Sequence, residues 1–466
     1  LWVASLVIVT TSLLAQRPPP PDPLRICGFT PPPLAHPNDP SAITLTVWAG
    51  GSQQECTRPY LPALAAPRVT RYRINVESRL FPVGNVQDLF EQAAAVHRLP
   101  DIVAVNPNWL PQWSKQGFIV PLNDCVAAHP EFRRIRPYLW GAATYDGQIL
   151  GIPYRVGFVT LFFSKVKLRA LGWSETRIAA LPEDIRAGRF TLHDMLVVAR
   201  QAVRSRVVEP GFGIWSYEHE PPEHNALPFL LSFDALRGHP STGQMIIQRE
   251  AMTQALSFYR NLQLEQVRHN QFVGPDIVGG WNRRVNLRDA YVEDRVLFWV
   301  EDFSERGEWA LDKAQDRGAF RYFEDHIGVA LIPSAYAGQP GHIQSAGISV
   351  FVIVSELSSR RRNQAAACEL LAKTLAPDVL APMLERESAT PLITSEHTTD
   401  SASDKIAYLQ DYVYKGSSQP SWNQFSPILN EVILEYETSN ISPDQATTRV
   451  IDRMRAEFGN LVIVRS

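Results

Sequence analysis

The sequence is sparing with several residue types, and each scarcity excludes something. There are four cysteines in 466 residues, Cys27, Cys56, Cys125 and Cys368, and none stands in a CxxC or Cys/His spacing. A structural zinc site is therefore not expected, nor is any other bound metal. The formal net charge is only −3, which gives no electrostatic case for nucleic acid or for an anionic membrane surface. There is no GxxxxGK[ST] and no GxGxxG, so no phosphate loop and no cofactor are expected. GxSxG and HExxH are missing as well. Internal repeats are absent, and the apolar run at the start is short for a membrane span.

What is plentiful is proline (36), tryptophan (11) and hydrophobic residues in general (45%). That is ordinary globular material, and the length suggests two lobes or three rather than one core. Aromatic wealth fits packing first and a sugar- or ring-binding cleft second. Residues 1–16, LWVASLVIVTTSLLAQ, have the length and apolar character of a secretory h-region, with a buried helix as the competing reading. Residues 17–42 form a proline-rich tether that cannot hold a helix. The arginine in Leu-Arg-Ile-Cys spoils the small-residue pattern expected before a lipidated cysteine, so export without a lipid is favoured, to a periplasmic or cell-surface location with the N-terminal segment as a tether. In such a compartment a Cys56–Cys125 bridge and free buried thiols are the two readings open.

The folded part opens with Ile43 to Trp48, a buried strand ending in an Ala49-Gly50-Gly51-Ser52 turn. Arg71 to Glu77 alternates like a half-exposed strand, Val86 to Arg98 has helical periodicity, and Pro100 to Val105 is a third strand leaving through Asn106-Pro107-Asn108-Trp109. In a parallel open sheet, ligands bind outside the carboxyl ends of strands. That places Trp48, Ser52, Gln53, Asn106, Asn108 and Trp109 on one rim. Each has a plain alternative: Trp48 as packing, the two asparagines as turn residues around a proline.

Further on, Leu192 to Arg204 carries one apolar stripe, with Pro182-Glu183-Asp184-Ile185 as its start signal. Ala226 to Phe233, Glu250 to Gln263 and Ser359 to Leu375 read as helices. Gly213 to Glu218, Val296 to Val300, Ile327 to Pro333 and Val350 to Val354 read as strands, and Gln339 to Gly347 as a glycine-rich return. One stretch stands out, DGQILGIPYRVGFVTLFFSK at 146–165. It sets Pro153-Tyr154-Arg155 at the junction of two strand-like runs, which suits a crossover between two bodies.

The order of these segments resembles the family 1 extracellular solute-binding proteins of ABC importers, the maltose-binding-protein-like group. The resemblance is carried by ITLTVWAGG, LPDIVAVNPNWLPQWSKQGFIVPLND, DGQILGIPYRVGFVTLFFSKVKLRALG, RVLFWVEDFSERG, IGVALIPSAYAGQPGHIQSAGISVFVIV and NQAAACELLAKTLAPDVLAPMLERESATPL, and spans roughly 43–450. It implies a two-lobed α/β fold of the periplasmic-binding-protein type II, each lobe a β-sheet flanked by helices, joined by hinge strands. Lobe I would be 43–154 and 347–388, and lobe II 155–346 and 389–466. Pro153-Tyr154-Arg155 would then lie at the base of the cleft, with further crossings near Ser345-Ala346-Gly347 and Ser388 to Pro391.

By position in that family, Tyr154, Arg155, Tyr217, Glu218, His224, Asn225, Glu301, Asp302 and Trp422 join the rim residues as ligand contacts. Arg155 has a buried ion pair as its plain alternative, Tyr217 and Glu218 an exposed loop, and Glu301-Asp302 a cap on a helix near Ser304. Trp422, in the polar stretch SSQPSWNQ, is hard to explain as packing in a loop. The function implied is capture of a small solute, a sugar or oligosaccharide, by a monomer that delivers it to an ABC permease, with no bond made or broken. A glycoside hydrolase using Glu301 and Asp302 is the runner-up, although adjacent strand residues point to opposite faces. A ligand-sensing subunit of a receptor is the third reading.

Overall fold

The computed structural model describes residues 33–51, 70–82, 86–216, 222–238, 244–268, 277–278, 281–282, 293–303, 325–375 and 422–466. The first three strands, β1 (Ile43–Gly51), β2 (Ile74–Pro82) and β3 (Ile102–Val105), are parallel, with β1 in the middle. Alternation in β1 buries Leu45, Val47 and Ala49 completely, whereas Thr46 and Trp48 on its other face are half-buried. The strand runs through Gly50 and Gly51, so these glycines end a strand and do not make the turn expected there. Between β2 and β3 lies the helix Val86–Ala95. Its Phe90 stacks on Trp113 with ring centroids 3.7 Å apart.

A small hairpin follows, β4 (Thr144–Tyr145) and β5 (Gln148–Ile149), and then the 13-residue strand β6 (Ile152–Ser164). Pro153 lies inside this strand, so the two apolar runs are one element. The second body holds β7 (Ile214–Ser216), β8 (Leu236–Gly238), β9 (Met245–Gln248), the pair β10 (Ile277–Val278) and β11 (Trp281–Asn282), β12 (Phe298–Asp302) and β13 (Ile327–Ala330). Strand β14 (Gln344–Ile353) returns to the first body, and β15 (Val462–Arg465) closes the described chain.

The main sheet has the order β2-β1-β3-β14-β6-β12-β7, with β13 also on β6. One hydrogen-bonded path therefore crosses both lobes, where a separate sheet for each had been expected. The reason is that β6 and β14 belong to both. Residues 152–159 of β6 pair with β14, which pairs with β3 of the first lobe through 350–353. Residues 159–164 of β6 pair instead with β12 and β13 of the second lobe. Strands β13 and β14 thus lie end to end along one side of β6, separated by a loop at 331–343. The molecule is a two-lobed α/β protein joined by long shared strands.

The helices fall where periodicity placed them, with some shifts. Leu192–Arg204 matches its expected bounds, but its start signal is Thr191, whose side chain accepts from Asp194 N–H in a capping box. Pro182 to Ile185 lie inside the preceding helix, Glu175–Arg186. Helices Pro222–Ser232, Arg249–Leu264, Trp422–Thr438 and Pro443–Phe458 pack on one another in the second lobe. Beside them lies the small sheet β15-β9-β8. Trp422 is therefore the first residue of a 17-residue helix, not a loop tryptophan.

Cys125 is bonded to Cys368, 243 residues away, and not to Cys56. Cys27 and Cys56 lie outside the described residues. The bridge joins the helices Asn123–Ala128 and Gln364–Thr374 of the first lobe. An ion pair from Lys373 to Glu131, 2.7 Å, fastens the helix Gln364–Thr374 to the adjoining 3-10 turn Pro130–Arg134 and holds the Glu131 carboxyl below its ordinary range. Among the described residues no helix is long and apolar enough to cross a membrane.

Candidate functional site

Register decides where the two lobes present their loops. In the first lobe, Val105 at the end of β3 lies opposite Val350, on the side of β14 nearer the crossing. The end of β1 follows β3 in parallel, with Ala49 opposite Ala104. In the second lobe, Asp302 at the end of β12 lies opposite Val159, where β6 leaves the crossing. Strand β7 runs parallel to β12, so Ser216 ends on the same side. The carboxyl ends of β1, β3, β7 and β12 therefore converge on one seam, with β6 and β14 as its floor. Strand ends in α/β sheets and lobe interfaces are favoured ligand positions.

The floor is bent in two places. Pro153 pairs with Val350 and Arg155 with Ser349, so Tyr154 is an extra residue in β6. Phe158 pairs with Ser345 and Gly157 with Gly347, so Ala346 is an extra residue in β14. These are β-bulges, which twist a strand and re-aim a side chain. A proline cannot donate to a ladder and is tolerated next to such an irregularity. That is why Pro153-Tyr154-Arg155 stands where it does: the bulge turns Tyr154 onto Phe351, ring centroids 4.0 Å apart at 25°.

The rim residues divide. Asn106 is exposed, and its side chain accepts from the Asn108 N–H at 3.2 Å, capping the 3-10 turn Pro107–Trp109. Its amide oxygen is thus committed locally, as the turn alternative held. Asn108 and Trp109 are half-buried on that turn. Trp48 packs edge-on against Phe81, centroids 5.0 Å apart, which is the packing alternative.

Glu301 is buried and its Oε1 accepts from Asp302 N–H at 2.9 Å, while Asp302 is half-buried on the other face of β12. Adjacent positions on a strand keep the two carboxylates apart, which does not suit a hydrolytic pair. Ser304, where the helix they would cap was expected, lies outside the described residues, as do Ser52, Gln53, Tyr217 and Glu218. His224 and Asn225 lie in the helix Pro222–Ser232, and Arg155 in β6; their side chains and that of Trp422 lie outside the description.

The structure adds residues that the sequence reading passed over. Phe351 forms the underside of Tyr154. Thr160, opposite Glu301, and Gln344, opposite Val159, bury side-chain oxygens with no hydrogen-bond partner among the described residues. Unpaired buried polar atoms call for an explanation, and both sit where the crossing strands enter the second lobe. A hydroxyl inside the otherwise apolar run GFVTLFF was the available signal for Thr160. Among the described residues no group of three His, Cys, Asp or Glu side chains could hold a metal ion.

No protein-family model and no curated protein matches the sequence. Solved structures do match. The GacH receptor of Streptomyces glaucescens, determined without ligand and with acarbose, is similar over 90% of this chain and 99% of its own, at 16% identity and a TM-score of 0.67. The sugar-binding protein MalE from Xanthomonas citri matches over 88% and 96%, at 19% identity and a TM-score of 0.65. The cyclic alpha-maltosyl-1,6-maltose binding protein from Arthrobacter globiformis matches over 89% and 98%, at 14% identity and a TM-score of 0.67. The chain thus has, over nearly its whole length, the two-lobed fold in which those sugar-binding proteins are built.

Proposed function

We propose that this chain is an extracytoplasmic solute-binding protein of an ABC importer, which captures a carbohydrate or related polyhydroxylated solute between its lobes by hinge closure. The observation that carries the reading is the seam itself. Two shared strands, each bulged once, form the floor beneath strand ends contributed by both lobes. A solute touching both lobes favours the closed arrangement, and one touching a single lobe shifts nothing. The fold likeness to proteins that hold acarbose and cyclic maltosyl-maltose supports a sugar as the solute class. The Cys125–Cys368 bridge supports an oxidising compartment. We place the lobe boundaries at 154/155 and 346/347, beside the two bulges, and read the protein as a monomer that hands its solute to a membrane permease without chemical change.

The test is a thermal-shift screen of the full chain with mono- and oligosaccharides, sugar acids and glycerophosphodiesters. Ligand bound only to the native state raises the midpoint with concentration. A saccharide that does so without being altered supports the reading. Hydrolysis of a chromogenic glycoside, or stabilisation by none of the sugars, contradicts it.

A further inference from the structure

A second group of sugar-suited side chains lies in the second lobe and shares no residue with the seam. The loop at 331–343 carries Tyr336, which is 42% exposed and the only aromatic among the exposed large apolar side chains of the described residues. An exposed aromatic on a loop usually costs order to hold, yet this one is fixed. Its N–H donates to Ser334 Oγ at 3.1 Å, and its hydroxyl donates to the Phe233 carbonyl at 3.3 Å. Its carbonyl accepts from the Gln339 N–H at 3.2 Å. The loop is tied further by Ala335 N–H to the Ser232 carbonyl, 3.0 Å, and Gly338 N–H to the Gly188 carbonyl, 2.9 Å. Gly188 has φ +68°, and a Cβ there would fall 2.6 Å from Gln339 N and O, so the loop is seated directly on backbone.

Tyr336 stands at a pocket of about 320 Å³ lined also by Phe233, Asp234, Gln248, Glu250 and Gln254. That volume is at the small end of the ligand-pocket range, roughly 300–1,000 Å³. The Phe233 ring meets Tyr336 edge-on, centroids 6.1 Å apart at 78°. Glu250 accepts from Gln254 Nε2 at 3.2 Å, and Asp234 is ion-paired with Arg237. Asp234 and Glu250 are close enough to Tyr336 to add to burial in raising its hydroxyl pKa.

Two carboxylates disfavour an anion, and four polar side chains disfavour an apolar guest. An aromatic face bordered by planar amides and carboxylates suits the C–H side and the hydroxyls of a pyranose ring. The helix Pro222–Ser232, about 15 Å long at the usual rise per residue, ends directly before Phe233 of this pocket.

We propose that this pocket is a second carbohydrate site, which holds a sugar ring of a polysaccharide or long oligosaccharide against Tyr336, independently of the cleft. It shares the solute class of the function proposed above and relies on none of the seam residues. Its effect is to raise the local concentration of saccharide ends near the cleft.

The experiment is native gel electrophoresis of the full chain through amylopectin, xylan and mixed-linkage β-glucan, with small-sugar thermal shifts measured alongside. The wild type should be retarded in at least one gel. Tyr336→Ala should weaken that retardation about tenfold, Gln254→Ala about threefold, and Tyr336→Phe should keep most of it. Equal retardation of wild type, Tyr336→Ala and Gln254→Ala overturns the proposal, as does no retardation in any of the gels. Small sugars stabilising wild type and Tyr336→Ala alike, with no gel retarding either, would remove this site and leave the cleft reading intact. Retardation lost in Tyr336→Ala, with no small sugar stabilising the wild type, would leave this site and remove the cleft reading.

Discussion

Tyr154 and Phe351 lie face to face across the two strands shared by the lobes, one on each strand, with ring centroids 4.0 Å apart. Phe351 is buried and Tyr154 half-buried, so the pair joins the core to the seam. Phe351→Ala should destabilise the protein by about 3–5 kcal/mol and weaken saccharide binding, because Tyr154 loses its support. Tyr154→Ala should cost less stability and as much affinity. Denaturant melts and ligand titrations of the two variants check this; the same loss of stability in both would contradict it.

Asn106 and Asn108 are two residues apart and should behave differently. Asn106→Ala removes the cap on the turn and should cost about 1 kcal/mol of stability. Asn108→Ala keeps the cap, so its melting temperature should stay near that of the wild type while saccharide affinity falls about tenfold. Calorimetric titration with the best saccharide from the screen, beside a melt of each variant, separates the two roles.

Arg268 and Glu437 form an ion pair in the second lobe, their side chains 2% and 1% exposed, at 3.2 Å. The Tyr259 hydroxyl donates to the same carboxylate, and its ring lies 4.4 Å from the guanidinium. Burial also pushes the Tyr259 hydroxyl pKa well up, which keeps it a donor. Breaking one side of a buried pair leaves an uncompensated charge. Arg268→Met or Glu437→Met alone should therefore cost about 3–5 kcal/mol, and the double variant less than either. Urea melts of the three variants decide it, and additive losses would contradict the account.

His342 is buried, and burial lowers its pKa from 6.5 to about 3. The unfolded chain takes up a proton near the ordinary value and the folded one does not until far lower. Stability should therefore fall as pH drops from about 6.5 toward about 3, by up to about 1.4 kcal/mol per unit. Carboxylates titrate in the same window, so the readout is the difference from His342→Gln. That variant should show a shallower acid slope in melts across the range, and identical slopes would contradict the assignment.

The sequence showed most of the fold because its signals were local. Short apolar runs located β1 and β3, and the apolar stripe located Leu192–Arg204 to the residue. What stayed hidden depended on partners far along the chain. Cys125 meets Cys368 only once the segment at 123–134 packs against the helix Gln364–Thr374. The bulges at Tyr154 and Ala346 exist only in the register of β6 against β14, although Pro153 hinted at one of them. Trp422 looked like a loop residue because SSQPSWNQ is polar, yet the apolar positions beyond it, Phe425, Ile428, Leu429 and Val432, are buried at helical spacing. Of the candidate site, the turn that carries Asn106 and Asn108 at the exit of β3 and the crossing segment were legible as positions. Phe351 and Gln344 were not, since nothing within their own strands marks them as neighbours of the seam, and Thr160 was marked only by a hydroxyl in an apolar run.

Hinge closure is the claim on which the functional account stands, and small-angle X-ray scattering of the full chain tests it most directly. The comparison is between the free protein and the protein saturated with the saccharide that gives the largest thermal shift. The account predicts a smaller radius of gyration and a shorter maximum dimension with saccharide bound, and a reduced change in Asn108→Ala at the same saccharide concentration. A saccharide that saturates the protein while the scattering curve stays superimposable on that of the free chain would contradict it.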